Sequence, residues 1–184
     1  MEVIKTEIEG LLIIKPKIYN DNRGYFFESF SIKSFEEKVC KTLFVQDNES
    51  RSKYGVLRGL HFQMPPYEQA KLIRIISGKV LDIAVDIRKD SPTFGKHFSI
   101  ELSEDNMLQL FIPRGFAHGF VVLSDEAVCQ YKCDNYYAPG YENSIIWNDK
   151  QLNIDWKIPI EDIILSEKDK NNPFFADIQK KIIY

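Results

Sequence analysis

The chain reads as an all-β protein, a sandwich or barrel of short strands with a few short helices at its edge. Short runs rich in Val, Ile, Phe and Tyr follow one another closely from Leu43 to Cys133. Turn signals separate them: Ser77-Gly78-Lys79 has the form of a hairpin, and Asp90-Ser91-Pro92, Ser103-Glu104-Asp105-Asn106 and Ser124-Asp125-Glu126 are turns. Polar groups also recur at alternate positions of otherwise apolar strands, as a barrel needs if its interior holds a ligand.

In chain order, Leu11 to Lys17 and Tyr25 to Phe30 are rich in β-branched and aromatic residues and flank the polar cluster Asn20 to Gly24, which predicts strand, turn, strand. Ser31 to Lys41 opens on a serine and has Phe35 and Val39 four apart, the spacing of one helix. Strands are then expected at Leu43–Asn48, Leu57–Gln63, Lys71–Ser77, Lys79–Ile87, His97–Leu102, Gln109–Ile112, Gly119–Leu123 and Ala127–Cys133. Within Lys79–Ile87, Leu81, Ile83, Val85 and Ile87 share one face, while Val80, Asp82, Ala84 and Asp86 share the other. The tail from Pro159 to Tyr184 alternates apolar and charged residues, which predicts a short helix or two packed on the barrel. No linker, low-complexity tract or fixed repeat divides residues 1–184, so one domain is expected.

A net charge of −3 without a basic block leaves no footprint for a nucleic-acid backbone, so any bound phosphate must be met by a few placed cations. No stretch approaches the ~18 apolar residues of a membrane span, and the N-terminus lacks the pattern of a signal peptide. A cytoplasmic location is expected. Cys40, Cys129 and Cys133 are odd in number and form no Cys-x-x-Cys, which favours buried thiols over disulfides or a zinc knuckle.

The densest chemistry lies at 55–63, Gly-Val-Leu-Arg-Gly-Leu-His-Phe-Gln. Arg58 offers a five-donor fork to an anion, and His61 can take a proton near neutral pH. Together with Pro113-x-Gly115-x2-His118, this segment resembles the paired motifs of the cupin fold. Metal-binding cupins continue the first motif as His-x-His. Here Gln63 stands at the second position, and two histidines with an amide make a poor transition-metal site, so no metal is expected.

Over nearly its full length the sequence resembles the dTDP-4-dehydrorhamnose 3,5-epimerase family. The resemblance rests on Asp-Asn-Arg-Gly-Tyr-Phe-Phe-Glu at 21–28, Gln46-Asp47-Asn48, the segment at 55–63 and Lys-Leu-Ile-Arg at 71–74. It continues through Ser-Pro-Thr-Phe-Gly at 91–95, Ile-Pro-Arg-Gly-Phe-Ala-His-Gly-Phe at 112–120, Tyr-Lys-Cys-Asp-Asn-Tyr-Tyr-Ala-Pro at 131–139 and Leu-Ser-Glu-Lys-Asp at 165–169. No position that the family uses for chemistry departs from its pattern.

The resemblance implies a metal-independent cupin-type jelly roll that epimerises C3 and C5 of dTDP-4-dehydro-6-deoxy-α-D-glucose, giving dTDP-4-dehydro-β-L-rhamnose for dTDP-L-rhamnose synthesis. The substrate's C4 ketone acidifies both carbons, so no cofactor is implied. By the same resemblance His61 is the base, Tyr131 the acid on the opposite face, Lys71 the cation facing the enolate oxygen, and Asp169 the partner orienting the imidazole. Asp82, on a strand face that carries polar groups, is the alternative partner. Arg23, Arg58 and Lys168 match positions near the diphosphate; Phe26, Glu28, Gln46, Asp47, Asn48, His118 and Glu142 match other substrate contacts; Tyr137 matches an aromatic that stacks on thymine. The family implies a homodimer with exchanged N-terminal strands, so that Arg23 and Glu28 serve the neighbouring site. Alternatives are a mono-epimerase acting on a related dTDP- or CDP-4-keto-hexose, a cupin sugar-binding module without turnover, and a metal-dependent cupin, the last disfavoured by Gln63.

Overall fold

Side-chain alternation along short strands sorts the protein, a computed structural model describing residues 1–181, into two facing antiparallel sheets. The first strands are β1 (Glu2–Lys5), β2 (Leu12–Lys15), β3 (Tyr19–Asp21) and β4 (Gly24–Phe26), followed by helix α1 (Ile32–Lys38). Next come β5 (Gln46–Lys53), β6 (Leu57–Gln63), β7 (Lys71–Ser77), β8 (Lys79–Asp86) and β9 (His97–Ser103). The last strands are β10 (Gln109–Ile112), β11 (Phe116–Val122), β12 (Glu126–Cys133) and β13 (Glu142–Ser144); α2 (Glu167–Lys170) and α3 (Phe175–Ile178) lie in the tail. One sheet has the order β1-β2-β10-β7-β12-β5 and the other β13-β6-β11-β8-β9. β3 and β4 pair only with each other.

Between the sheets, Ile73, Leu110 and Ala127 of the first pack with Val80, Ala84, Phe120 and Val122 of the second. The outer face of the second sheet is covered by the chain beyond β13, whose Trp156, Phe175 and Ile178 join Leu57, Leu60, Leu81 and Ile83. Each buried aromatic or aliphatic side chain of this kind contributes about 1.5–3 kcal/mol, so the tail is part of the barrel wall. Trp156 Nε1 donates to the Trp147 carbonyl at 2.9 Å, which satisfies the indole N–H within the packed layer. On the outer face of the first sheet, α1 seats Phe35 edge-on against Phe111, with ring centroids 5.2 Å apart. Ser31 caps that helix by accepting from Ser34 N, and the helix stops at Lys38, short of the expected Lys41.

Several strands differ from their expected bounds, and β5 does so because its inner face does not meet an apolar core. β5 runs over the polar stretch Gln46–Lys53 in place of Leu43–Asn48, pairing along its length with β12. Gln46, Asn48, Ser50 and Ser52 point inward there, so no hydrophobic alternation marks the strand. β11 begins at Phe116 rather than Gly119 because Phe116 and Ala117 already pair with Asp86 and Val85. The segment expected as a strand at Tyr25–Phe30 is a short hairpin with Tyr19–Asp21, and β1 and β13 carried no alternation strong enough to expect them. The tail does hold short helices, α2 and α3; its last three positions, 182–184, lie outside the described residues.

Asp82 and Asp86 are both fully buried. Asp86 is caged by Arg88 Nε and Nη2 at 2.9 and 2.8 Å and by the Ser91 and Thr93 hydroxyls at 2.6 Å each. Burial pushes its carboxyl up, but these donors outweigh it and hold the group below its ordinary 3.8. A carboxylate whose pKa is lowered on folding stabilises fully above its unfolded value and loses that contribution as pH falls through its folded value. Asp86→Asn is therefore expected to lower stability by about 2–3 kcal/mol at pH 7. Urea midpoints at pH 7 and pH 3 will check this: the gap to wild type narrows at the lower pH, and a gap of constant size would contradict the assignment.

Candidate active site

Three positions apart on one strand, Arg58 and His61 would face opposite sides of the sheet under simple alternation. In the β6–β11 ladder His61 pairs with His118 and Arg58 with Phe120, so β6 uses three steps where β11 uses two. The extra residue is a bulge that returns both side chains to one face. Gly59 makes it possible: it has φ 136°, and a Cβ there would lie 2.5 Å from Gly119 Cα and 2.9 Å from the His118 oxygen. Leu57 and Leu60 consequently both join the cluster under the tail. Arg58 and His61 both face the interior.

That interior holds two adjoining cavities. One, of about 510 Å³, is lined by Arg58, His61, Lys71, His118, Tyr131, Lys168 and Asp169 among others. The second, of about 260 Å³, is lined by Gln46, Asn48, His61, Gln63, Lys71, Tyr131, Tyr137 and Glu142 among others. His61, Lys71 and Tyr131 belong to both. They stand where a ligand occupying the two compartments would be shared between them. His61 comes from the sheet of β6, whereas Lys71 on β7 and Tyr131 on β12 come from the facing sheet.

The tail completes the site. Ile164 forms a parallel bridge to Val56, its N–H donating to the Gly55 oxygen at 2.8 Å and its own oxygen accepting from Leu57 N at 2.9 Å. Gly55 is required there, since a Cβ would fall 2.0 Å from the Asp162 oxygen. Two residues further on, Ser166 caps α2 by accepting from Asp169 N at 3.1 Å, and the Asp169 carboxylate meets His61 Nε2 at 2.6 Å. Burial raises the Asp169 carboxyl, but the bonds from His61, Ser166 and Asn172 outweigh it, and the group stays below its ordinary range. With Nε2–H donated to that carboxylate, Nδ1 is the basic nitrogen of the ring.

Asp82, the alternative partner for His61, is taken by His118, whose Nε2 lies 3.0 Å from both carboxylate oxygens. Burial lowers the His118 pKa even though Asp82 opposes it. Lys71 is likewise lowered by desolvation, and its Nζ lies 5.9 Å from the centre of the Tyr131 ring. Burial pushes the Tyr131 phenol up to about 12, which keeps it protonated at neutral pH. At the rim Glu142 accepts from Lys168 at 2.6 Å and from the Tyr137 hydroxyl at 2.8 Å. Burial pushes the Glu142 carboxyl up, and those two donors more than offset it.

A family model described as dTDP-4-dehydrorhamnose 3,5-epimerase matches residues 5–177. The chain belongs to that family. It is accordingly an isomerase and a cupin-type jelly roll. A dTDP-4-dehydrorhamnose 3,5-epimerase of Shigella flexneri is 55% identical over 178 residues, covering 96% of this chain and 97% of the relative. A dTDP-6-deoxy-D-glucose-3,5-epimerase of Legionella pneumophila, solved in complex with dTDP-4-keto-L-rhamnose, is 48% identical with a TM-score of 0.94, covering 100% of this chain and 98% of that one. A 3'-monoepimerase of Streptomyces bikiniensis, solved with dTDP as a double mutant replacing a histidine and a tyrosine, is 31% identical with a TM-score of 0.88 and covers 96% of this chain and 89% of that one.

Within one epimerase chain the remaining expected residues do not converge. Arg23 sits in the β3–β4 hairpin, its side chain 85% exposed and bound to Asp21. Phe26 is 71% exposed, and Glu28 lines a separate cavity beside Phe30 and Phe35. Asp47 alternates with Gln46 and Asn48 and so points outward, where Lys132 Nζ holds it at 2.9 Å. Gln63 is tied to nearby loops, donating to the Tyr67 and Tyr136 oxygens and accepting from Ala138 N. Among the described residues no group of three or more His, Cys, Asp or Glu side chains is placed to hold a metal ion. Nor is any described helix long and apolar enough to cross a membrane. Sequence reasoning passed over Ser166, although Ser166-x-x-Asp169 has the spacing of a helix-capping box and marked it.

The buried His118 is expected to titrate below the ordinary histidine value of 6.5. Imidazole nitrogen shifts followed by NMR from pH 4 to 8 will check this, and a midpoint above 6.5 would show that Asp82, not burial, dominates.

Proposed function

We propose that this epimerase inverts both C3 and C5 of dTDP-4-dehydro-6-deoxy-α-D-glucose, yielding dTDP-4-dehydro-β-L-rhamnose for dTDP-L-rhamnose synthesis. The observation that carries the reading is the placement of His61 on one sheet and of Lys71 and Tyr131 on the facing one, all three at the junction of the two cavities. Inverting a carbon beside a ketone requires removal of a proton from one face and delivery to the other. A sugar lying between the sheets meets a base from one side and an acid from the other.

In this mechanism His61 Nδ1 takes the proton, and Asp169 stabilises the imidazolium through Nε2. The electrons move onto the C4 oxygen, where the partly dehydrated Lys71 ammonium favours the enolate over the neutral ketone. Tyr131 returns a proton from the opposite face. In the monoepimerase double mutant the replaced histidine and tyrosine have the same separation along the chain as His61 and Tyr131, which supports the pairing. Arg58 and Lys168 supply the cations for the diphosphate, and Tyr137 stacks on the thymine.

The active unit is a homodimer with exchanged N-terminal strands. Its support is the β3–β4 hairpin, which among the described residues pairs with no other strand and exposes Tyr19, Tyr25 and Phe26. In that arrangement Arg23, Phe26 and Glu28 reach the neighbouring site.

Incubation of the keto-sugar with protein in deuterated water, followed by NMR, tests the reaction. Deuterium at C3 and C5 supports double inversion; deuterium at one carbon only indicates a mono-epimerase. His61→Asn is expected to slow this exchange by about 10³-fold, and near-wild-type exchange would remove His61 as the base. Tyr137→Ala is expected to raise KM about tenfold while changing kcat little. Steady-state kinetics will check it, and an unchanged KM would leave Tyr137 without a role in nucleotide binding.

A further inference from the structure

Both oxygens of the Asp169 carboxylate are occupied. Oδ2 accepts from Ser166 Oγ at 2.9 Å; Oδ1 faces His61 Nε2 at 2.6 Å and also accepts from Asn172 Nδ2 at 3.3 Å. Asn172 is held in turn, because its Oδ1 accepts from Ser144 Oγ at 2.7 Å. Ser144 lies on β13 directly opposite His61 in the β13–β6 ladder. The bonds therefore form a closed ring, running from His61 through Asp169, Asn172 and Ser144 and back across the ladder to His61.

Ser144, Asn172 and Asp169 are 7%, 8% and 3% exposed, so water competes weakly for these bonds. The backbone is pinned on either side: Ile145 and Leu60 exchange N–H bonds at 2.9 and 3.2 Å, and Ile146 N donates to the Pro173 oxygen at 2.9 Å. Neither Ser144 nor Asn172 lines the two cavities. A substrate-binding role does not account for them, and neither does capping of α2, whose C-cap is Asn171.

We propose that Asn172, anchored by Ser144, is a positioning residue for the His61–Asp169 pair, fixing the carboxylate from the tail relative to the strand that carries the histidine. Ser166 holds Oδ2 from within α2 itself, whereas the donor from Asn172, tied through Ser144 to β13, fixes Oδ1 relative to the strand beside His61. Small displacements of a base are costly to proton transfer, whereas binding of the nucleotide depends on other side chains. The inference rests on His61 being the base of the proposed reaction.

Asn172→Ala and Ser144→Ala, each alone and together, with Ser144→Thr and the Asp169→Asn pair of backgrounds, provide the test. Deuterium wash-in and kcat are expected to fall about tenfold in each alanine variant, with KM and affinity for dTDP changed less than about twofold. The double alanine variant is expected to be no slower than the slower single, since the two act through one chain of bonds. Asn172→Ala in the Asp169→Asn background is expected to have no further effect, and Ser144→Thr to retain most of the rate. Wild-type wash-in by Asn172→Ala overturns the proposal. So does a parallel loss of dTDP affinity and rate, or an equal effect of Asn172→Ala with and without Asp169. If wild-type protein itself washes in no deuterium, the proposed reaction fails. In that case the downfield proton resonance of the His61–Asp169 bond, read without substrate, decides the positioning role by shifting or not shifting in Asn172→Ala.

Discussion

A single extra residue in β6 sets the geometry on which the site depends. Without the bulge at Gly59, either Arg58 or His61 would point into the apolar layer beneath the tail, where an unpaired charge or imidazole is costly to bury. With it, both polar groups enter the cavity and Leu57 and Leu60 both enter the core. The bulge is held by backbone contact between Gly59 and Gly119, which no side chain can relax. Packing on one face of β6 and chemistry on the other are thus two consequences of the same local irregularity.

The same strand explains why the carboxylate beside His61 comes from so far along the chain. Asp82 is already in the barrel, but β11 lies between β8 and β6, so two strand spacings, about 10 Å, separate the strand of Asp82 from that of His61. Asp82 reaches His118 on the intervening strand and goes no further. On the other side of β6 stands β13, which places Ser144 opposite His61 and its one carboxylate, Glu142, opposite Gln63, where Lys168 and Tyr137 hold it. The tail covers that flank. Its bridge from Ile164 to Val56 delivers α2, and with it Asp169, beside His61.

Much of this was legible from residue types and spacing, and the parts that were not have definite causes. The strands with a true apolar face, β6 to β8, β10 and β12, stand close to where alternation placed them. β5 was misplaced because its inward residues are polar: Gln46, Asn48 and Ser50 line the cavities and Ser52 accepts from Arg58, so the usual apolar signal is absent. Asp169 was nameable only by resemblance, since nothing local in Glu167-Lys168-Asp169 distinguishes it from a solvated helix charge. Asn172 and Ser144 were not nameable at all. Their meeting depends on the tail crossing β13, a long-range contact that no window of sequence contains.

The two paired histidines show how environment separates similar constellations. His61 and His118 are cross-strand neighbours, and each has a carboxylate at hydrogen-bond distance. His118 and Asp82 have side chains only 9% and 0% exposed, so burial governs and the imidazole is driven toward its neutral form. The His61 side chain is 29% exposed at the junction of two cavities, while its carboxylate is buried and held by three donors. The role proposed for His61, gaining and losing a proton in each cycle, needs this asymmetry: access on the side of the reacting carbon and a fixed counter-charge on the other. His118 has the counter-charge without the access, which suits a wall of the cavity better than a centre of proton transfer.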